Sequence, residues 1–149
     1  MTEHQQIVQA IIPQKLREIE ERENVRVLHC IESGSRAWGF ASPDSDYDVR
    51  FIYVHRPEEY LRVDTLKDVI EWQLDEVLDI NGWDIQKTLR LLHSSNPTLF
   101  EWMNSPVIYR QTEFANLIQP YLDRYFSCKS GLYHYLSMAE GNYRDYLKG

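Results

Sequence analysis

The stretch ESGSRAWGFASPDSDYDVRFIYVH, residues 32–55, decides how this chain is read. It leaves a β-rich apolar run, turns at Gly34-Ser35, passes through small and turn-forming residues, and sets Asp46 and Asp48 one residue apart at the mouth of a second apolar run. Strand side chains alternate between faces, so an Asp-x-Asp pair opening a strand projects both carboxylates from one side. Two like charges that close repel each other; a cation between them, or water, relieves them.

Upstream of the turn, VRVLHCIES predicts a buried strand over Val25 to Glu32. Before it, Val8, Ile12, Leu16 and Ile19 form one helical stripe within residues 5–22, with Pro13 as a kink or as the effective helix start. Downstream, YDVRFIYV predicts a second strand, with Asp48, Arg50 and Ile52 alternating against Tyr47, Val49, Phe51 and Tyr53. KDVIEWQLDEVLDING predicts two more strands that turn near Leu74 and Asp75, the second ended by Gly82. Asp79 lies between Leu78 and Ile80 and so points away from both.

The remainder is read as helical. WDIQKTLRLLHSS puts Ile85, Leu89 and Leu92 on one face, Asn96 and Pro97 open a helix as N-cap and first-turn proline, and amphipathic segments follow at about 112–126 and 130–147.

Composition narrows the function classes. The 149 residues suit one domain-sized core, and 43% hydrophobic with 26% charged residues is a globular balance rather than a disordered one. A net charge of −7 offers no general field for nucleic acid, so any such contact has to come from local cations or bound metal. Cys30 and Cys128 make neither a disulfide framework nor a zinc motif and fit a reducing compartment, with the cytoplasm as the default. No apolar run reaches the ~18 residues of a membrane span, and the N-terminus has no signal-like core. His29, His55, His93 and His134 lack ligand spacing, and no serine has a triad context.

Three features share one chemistry: the Gly34-Ser35 turn, the Asp46/Asp48 pair, and Asp79 on a later strand. Magnesium takes oxygen ligands, commonly one or two carboxylates with substrate phosphates and water, which explains acids here rather than His or Cys. Two such ions stabilise both the attacking and the leaving oxygen of a phosphoryl displacement. A glycine-serine turn offers backbone approach and a hydroxyl to phosphate. Asp84 is the rival for the third acid, although a place just inside a helix suits it to a first-turn role.

With GS at 34–35, DYD at 46–48 and LDI at 78–80, the chain resembles the nucleotidyltransferases of the DNA polymerase β superfamily. ESGSRAWGFASPDSDYDVRFIY, DINGWDIQKTLRLL and SNPTLFEWMNSPVIY make it look like the RNA-repair-pathway branch in particular, over about residues 25–110. The resemblance implies an α+β fold, a mixed β-sheet with flanking helices and a helical C-terminal extension. Residues 1–110 would be the catalytic domain and 111–149 the start of a longer helical region. It implies transfer of a nucleoside monophosphate from an NTP, with ATP as the default, to an acceptor hydroxyl such as an RNA end. It also implies two Mg²⁺ (or Mn²⁺) ions held by Asp46, Asp48 and Asp79, with Gly34, Ser35 and Arg36 at the phosphates.

The plainer alternatives stand beside these. Arg36 is equally readable as a solvent-facing loop arginine, and Lys87 and Arg90, candidates for phosphate or acceptor contact, as a solvated helix face with an Asp84–Lys87 pair. Trp38 and Phe40 either stack on a base or anchor the loop to the core, anchoring being the commoner use. Tyr133, Tyr135, Tyr143 and Tyr146 suit packing or an interface. The alternative function is a non-catalytic nucleotide-binding regulatory module with the same fold.

Overall fold

A computed structural model describes residues 1–39, 46–73 and 76–142. A five-stranded sheet runs in the order β3-β4-β2-β1-β5, where β1 is Val25–Glu32, β2 Tyr47–His55, β3 Val69–Gln73, β4 Leu78–Asp84 and β5 Ile108–Gln111. β2 and β4 pair in parallel and the other neighbours antiparallel, so the sheet is mixed and the fold α+β, as expected.

The N-terminal helix is interrupted. α1 (Glu3–Gln6) passes through a π-helical stretch, Ile7–Ile11, into α2 (Ile12–Glu23), with Pro13 in the first turn of α2. Proline has no N–H to donate to the preceding turn, so a wider turn precedes it. Ile12, Leu16 and Ile19 of α2 are buried against one sheet face with Val27, Cys30, Val49, Phe51 and Ile80. α2 ends at Asn24, whose φ of 52° is left-handed. Glu20 fastens this helix to the sheet, accepting from the Val27 amide at 3.0 Å and pairing with Arg110 at 2.7 Å.

The opposite face is covered by α3 (Ile85–His93), α4 (Pro97–Met103) and α5 (Phe114–Tyr125). Leu92, Leu99, Phe100, Trp102, Ile118 and Leu122 meet Ile31 and Ile52 there. β1 serves both faces because its pairing with β2 shifts between Val27 and His29. A bulge of this kind reverses the alternation, which is why VRVLHCIE reads as continuously apolar.

Several expectations need correction. Residues 108–111 form β5 against β1 instead of joining a helical remainder. Gly82 does not end β4, which continues to Asp84. A Cβ at Gly82 would lie 2.3 Å from the Phe51 ring, so the glycine makes room for a neighbour inside the sheet. Leu89 is 48% exposed, whereas Leu92 is buried as expected, beside Thr88 and the partly buried Ile85. Asn96 does cap α4, accepting from the Thr98 and Leu99 amides, with Pro97 in the first turn. α6 spans Cys128–Asn142. The expected turn at Leu74 and Asp75, Phe40, and Tyr143 and Tyr146 lie outside the described residues. No helix among the described residues is long and apolar enough to cross a membrane.

His29 is 3% exposed, and neither ring nitrogen has a hydrogen-bond partner among the described residues. Burial therefore lowers its pKa from the ordinary 6.5. Below pH 6.5 the unfolded chain takes up a proton that the folded chain resists, so this group withdraws stability as pH falls. His29→Leu is expected to flatten that acid loss, recovering about 1 kcal/mol at pH 5.5 relative to pH 8 in urea unfolding.

Candidate active site

The parallel register of β2 and β4 sets Asp48 opposite Asp79, Arg50 opposite Asn81, and Ile52 opposite Trp83. Residues directly opposite share a face, and neighbouring strands lie about 4.8 Å apart, so Asp48 and Asp79 are adjacent carboxylates. The alternation of β4, with Leu78, Ile80 and Gly82 buried on the other side, keeps Asp79 on this face. Asp46 is exposed, immediately before β2.

The Gly-Ser turn is built against Asp48. Gly34 N-caps a 3₁₀ turn, Ser35–Trp38, and the Ser33 amide donates to the Asp48 carbonyl at 2.9 Å. A Cβ at Gly34 would stand 2.1 Å from Asp48 Oδ2. A side chain at Gly34 would displace the Asp48 carboxylate from this position. Nor is the Gly34 N–H turned to a ligand: it donates to Glu32 Oε2 at 2.9 Å.

Glu32 is the residue that the sequence reading missed. It is fully buried, and its Oε2 accepts from both the Gly34 and the Asp48 amides, the latter at 3.0 Å, while Oε1 accepts from the Tyr109 hydroxyl at 2.8 Å. Burial raises its pKa, and the hydrogen bonds from Tyr109, Gly34 and Asp48 work against that rise. The signal was present: an acid ending an apolar strand needs a partner. Glu32→Leu leaves two buried amides without an acceptor and is expected to cost about 3 kcal/mol, whereas Glu32→Gln keeps one accepting oxygen and costs about 1 kcal/mol; urea midpoints of the two variants check the difference.

Asp79 is not free on its strand. Its Oδ2 accepts from Arg50 Nη2 at 3.1 Å and its Oδ1 from Asn81 Nδ2 at 2.9 Å, and Arg50 Nη1 also binds the Asp79 carbonyl at 3.0 Å. Among the described residues no three His, Cys, Asp or Glu side chains stand together as a ready ligand set. Asp48 and Asp46 nevertheless offer hard carboxylate oxygens beside open surface, in the number magnesium takes when phosphate and water complete its shell. The donor chemistry of Asp46 and Asp48 fits the ion, whereas Asp79 has its Oδ2 on Arg50 and its Oδ1 on Asn81.

The other candidates fall elsewhere. Asp84 lies five residues beyond Asp79, opposite Tyr53, where it N-caps α3 through the Gln86 amide and accepts from Tyr60. Arg36 lies over the Tyr47 ring, 4.0 Å from its centroid. Lys87 pairs with Asp68 at 3.9 Å rather than with Asp84, and Arg90 is exposed. Trp38 is 50% exposed, so it does not anchor the loop in the core. Tyr135 donates to Glu101 and is 49% exposed.

Comparison with known proteins agrees with this architecture. Over 136 residues the chain is 45% identical to the protein YcgL of Bacillus subtilis (strain 168). That match takes in 91% of this chain and 52% of YcgL, so the chain spans about half the length of that relative. The profile described as RlaP, RNA repair pathway DNA polymerase beta family, matches residues 8–149, and the chain belongs to that family.

Proposed function

We propose that this protein is a metal-dependent nucleotidyltransferase that moves a nucleoside monophosphate from an NTP to an acceptor hydroxyl, an RNA end being the acceptor that the family description favours. The observation that carries the reading is the in-register pairing of Asp48 and Asp79 on adjacent parallel strands, with Gly34 opened to admit the Asp48 carboxylate. When bound, two magnesium or manganese ions supply the positive charge that offsets the developing negative charge on the transferring phosphoryl group.

The chain's own residues do the rest. Asp46 and Asp48 would hold the triphosphate's cations at the N-terminal end of β2, and Ser35 and Arg36 would receive the β and γ phosphates. The acceptor oxygen bonds to the α-phosphorus as the bond to the bridging oxygen breaks, and pyrophosphate leaves. Asp79 accepts the acceptor's proton. Arg50 and Asn81 hold that carboxylate in place until then.

The Asp79–Arg50 pair also favours a second reading, a module that binds nucleotide without turnover. Incubation with each α-labelled NTP and total cellular RNA separates the two. Label in RNA with pyrophosphate release supports transfer, whereas saturable Mg²⁺-NTP binding with no labelled product supports the module.

A further inference from the structure

A cavity of about 420 Å³ opens beside the acid pair and is lined in part by Arg50 and Asn81, which hold Asp79. Its floor is the next row of the sheet: Arg50, Asn81 and Glu71 lie across three strands in register, with Trp83 and Val69 beyond. Two residues of strand rise, about 6.6 Å, separate the Asn81 row from the Asp79 row, so a ligand in the cavity remains within reach of the carboxylates. Ser33, which leads into the Gly34 turn, closes the near side, and Thr98, Glu101 and Trp102 of α4 form the far wall.

The lining has a definite chemistry. Three of the chain's four tryptophans are here. Trp83 and Trp102 stack at 3.7 Å with 17° between their planes, and Trp38 stands half-exposed at the rim. The volume is in the range of small-molecule sites, and aromatic faces of this kind take planar rings whatever the base. Among the polar groups, Arg50 has its guanidinium on Asp79 and the Val49 carbonyl and Glu101 takes the Tyr135 hydroxyl on one oxygen, whereas Glu71 places an exposed carboxylate on the cavity, and an ionised carboxylate accepts and never donates.

We propose that this cavity is a nucleobase site that selects bases carrying an exocyclic amine. The proposal rests on the nucleotidyltransferase reading and deepens it. Adenine, guanine and cytosine present N–H₂ groups that a carboxylate accepts. Uracil has no amine on that edge: one ring N–H stands between two carbonyl oxygens, and the carboxylates repel those oxygens. The base belongs either to the donor NTP or to the terminal nucleotide of the acceptor; both offer the same ring and the same edge.

The test is tryptophan emission of the full chain titrated with AMP, GMP, CMP and UMP. The expected result is quenching by all four, with the three amine-bearing nucleotides binding about ten-fold more tightly than UMP, the effect of one hydrogen bond to a charged group. Glu71→Gln, an exposed position, is expected to reduce that preference to about two-fold while quenching persists, because an amide also donates. Trp38→Phe is expected to diminish the quenching itself.

Titrations with Mg²⁺-NTPs and with short RNAs ending in A or U assign the source. A preference among triphosphates places the donor's base in the cavity, and a preference among RNA ends places the acceptor's. Equal affinity for CMP and UMP, or an unchanged preference in Glu71→Gln, overturns the proposal. If calorimetry shows Mg²⁺-NTP binding while emission does not respond, the base site is wrong and the nucleotidyltransferase reading stands; if no triphosphate binds, the underlying reading falls first.

Discussion

Asp48→Asn is expected to lower label transfer from an α-labelled NTP about a thousand-fold or more, with the far-ultraviolet spectrum and the urea midpoint staying at their wild-type values. The substitution keeps the shape of the side chain and removes its charge. The backbone at Asp48 is held without the side chain, since its amide donates to Glu32 and its carbonyl accepts from Ser33. Geometry therefore persists when the charge goes. Metal-assisted stabilisation of a phosphoryl transition state is worth several kcal/mol, and each 1.36 kcal/mol is a factor of ten, so roughly 4 kcal/mol gives the thousand-fold loss. Asp46→Asn moves in the same direction. Removing one of two adjacent carboxylates also relieves repulsion, which keeps stability level or slightly raises it. A wild-type transfer rate in Asp48→Asn would leave the proposed chemistry without its main ligand.

A large stability effect is also expected at a residue with no chemistry. Gly82 lies in the middle of β4, bonded to β3 on one side and β2 on the other, opposite Ile70 and Phe51. An added methyl would meet Phe51 Cε2 and Cζ at 2.3 Å, and Phe51 is fully buried among α2 and the sheet. Gly82 does not need a left-handed backbone, so the whole penalty of Gly82→Ala is steric. Overpacking of this kind costs about 3 kcal/mol where neither neighbour has room to retreat. Phe51→Ala alone leaves a cavity and costs about 4 kcal/mol. The double variant should cost well under the sum, because the new methyl occupies part of the vacated volume. Urea unfolding of the three variants measures this, and a Gly82→Ala protein within about 0.5 kcal/mol of wild type would show that the close approach is absent.

Much of this molecule was legible from period and punctuation. β1, β2 and the opening of α4 follow from apolar runs and from an Asn-Pro start, because burial on both faces and a capped first turn leave local marks. β5 left none. Four residues with one strand neighbour carry too little apolar area to signal a strand, and pairing to β1 some eighty positions away decides them. Gly82 was misread for a related reason: as local punctuation it says stop, whereas across the sheet it says that an aromatic ring lies close.

The acid pair was visible as a motif, and so was the alternation that turns Asp79 away from Leu78 and Ile80. What orients those acids was not visible. Arg50 is an ordinary polar position until the parallel register brings it to Asp79, and Asn81 reaches the same carboxylate from two residues along β4. The same holds for Arg36, whose contact with Tyr47 spans eleven residues, and for Lys87, whose cationic end finds Asp68.

Glu32 takes its remaining hydrogen bonds from far down the chain: Tyr109 on its carboxylate and Ser105 on its carbonyl, 77 and 73 positions later. During synthesis, then, the bend that carries Gly34 and Asp48 is left without its anchor while the ribosome still holds residue 109. A nascent chain arrested before that point carries Gly34, Asp48 and Glu32 but lacks the Tyr109 and Ser105 hydrogen bonds that hold Glu32.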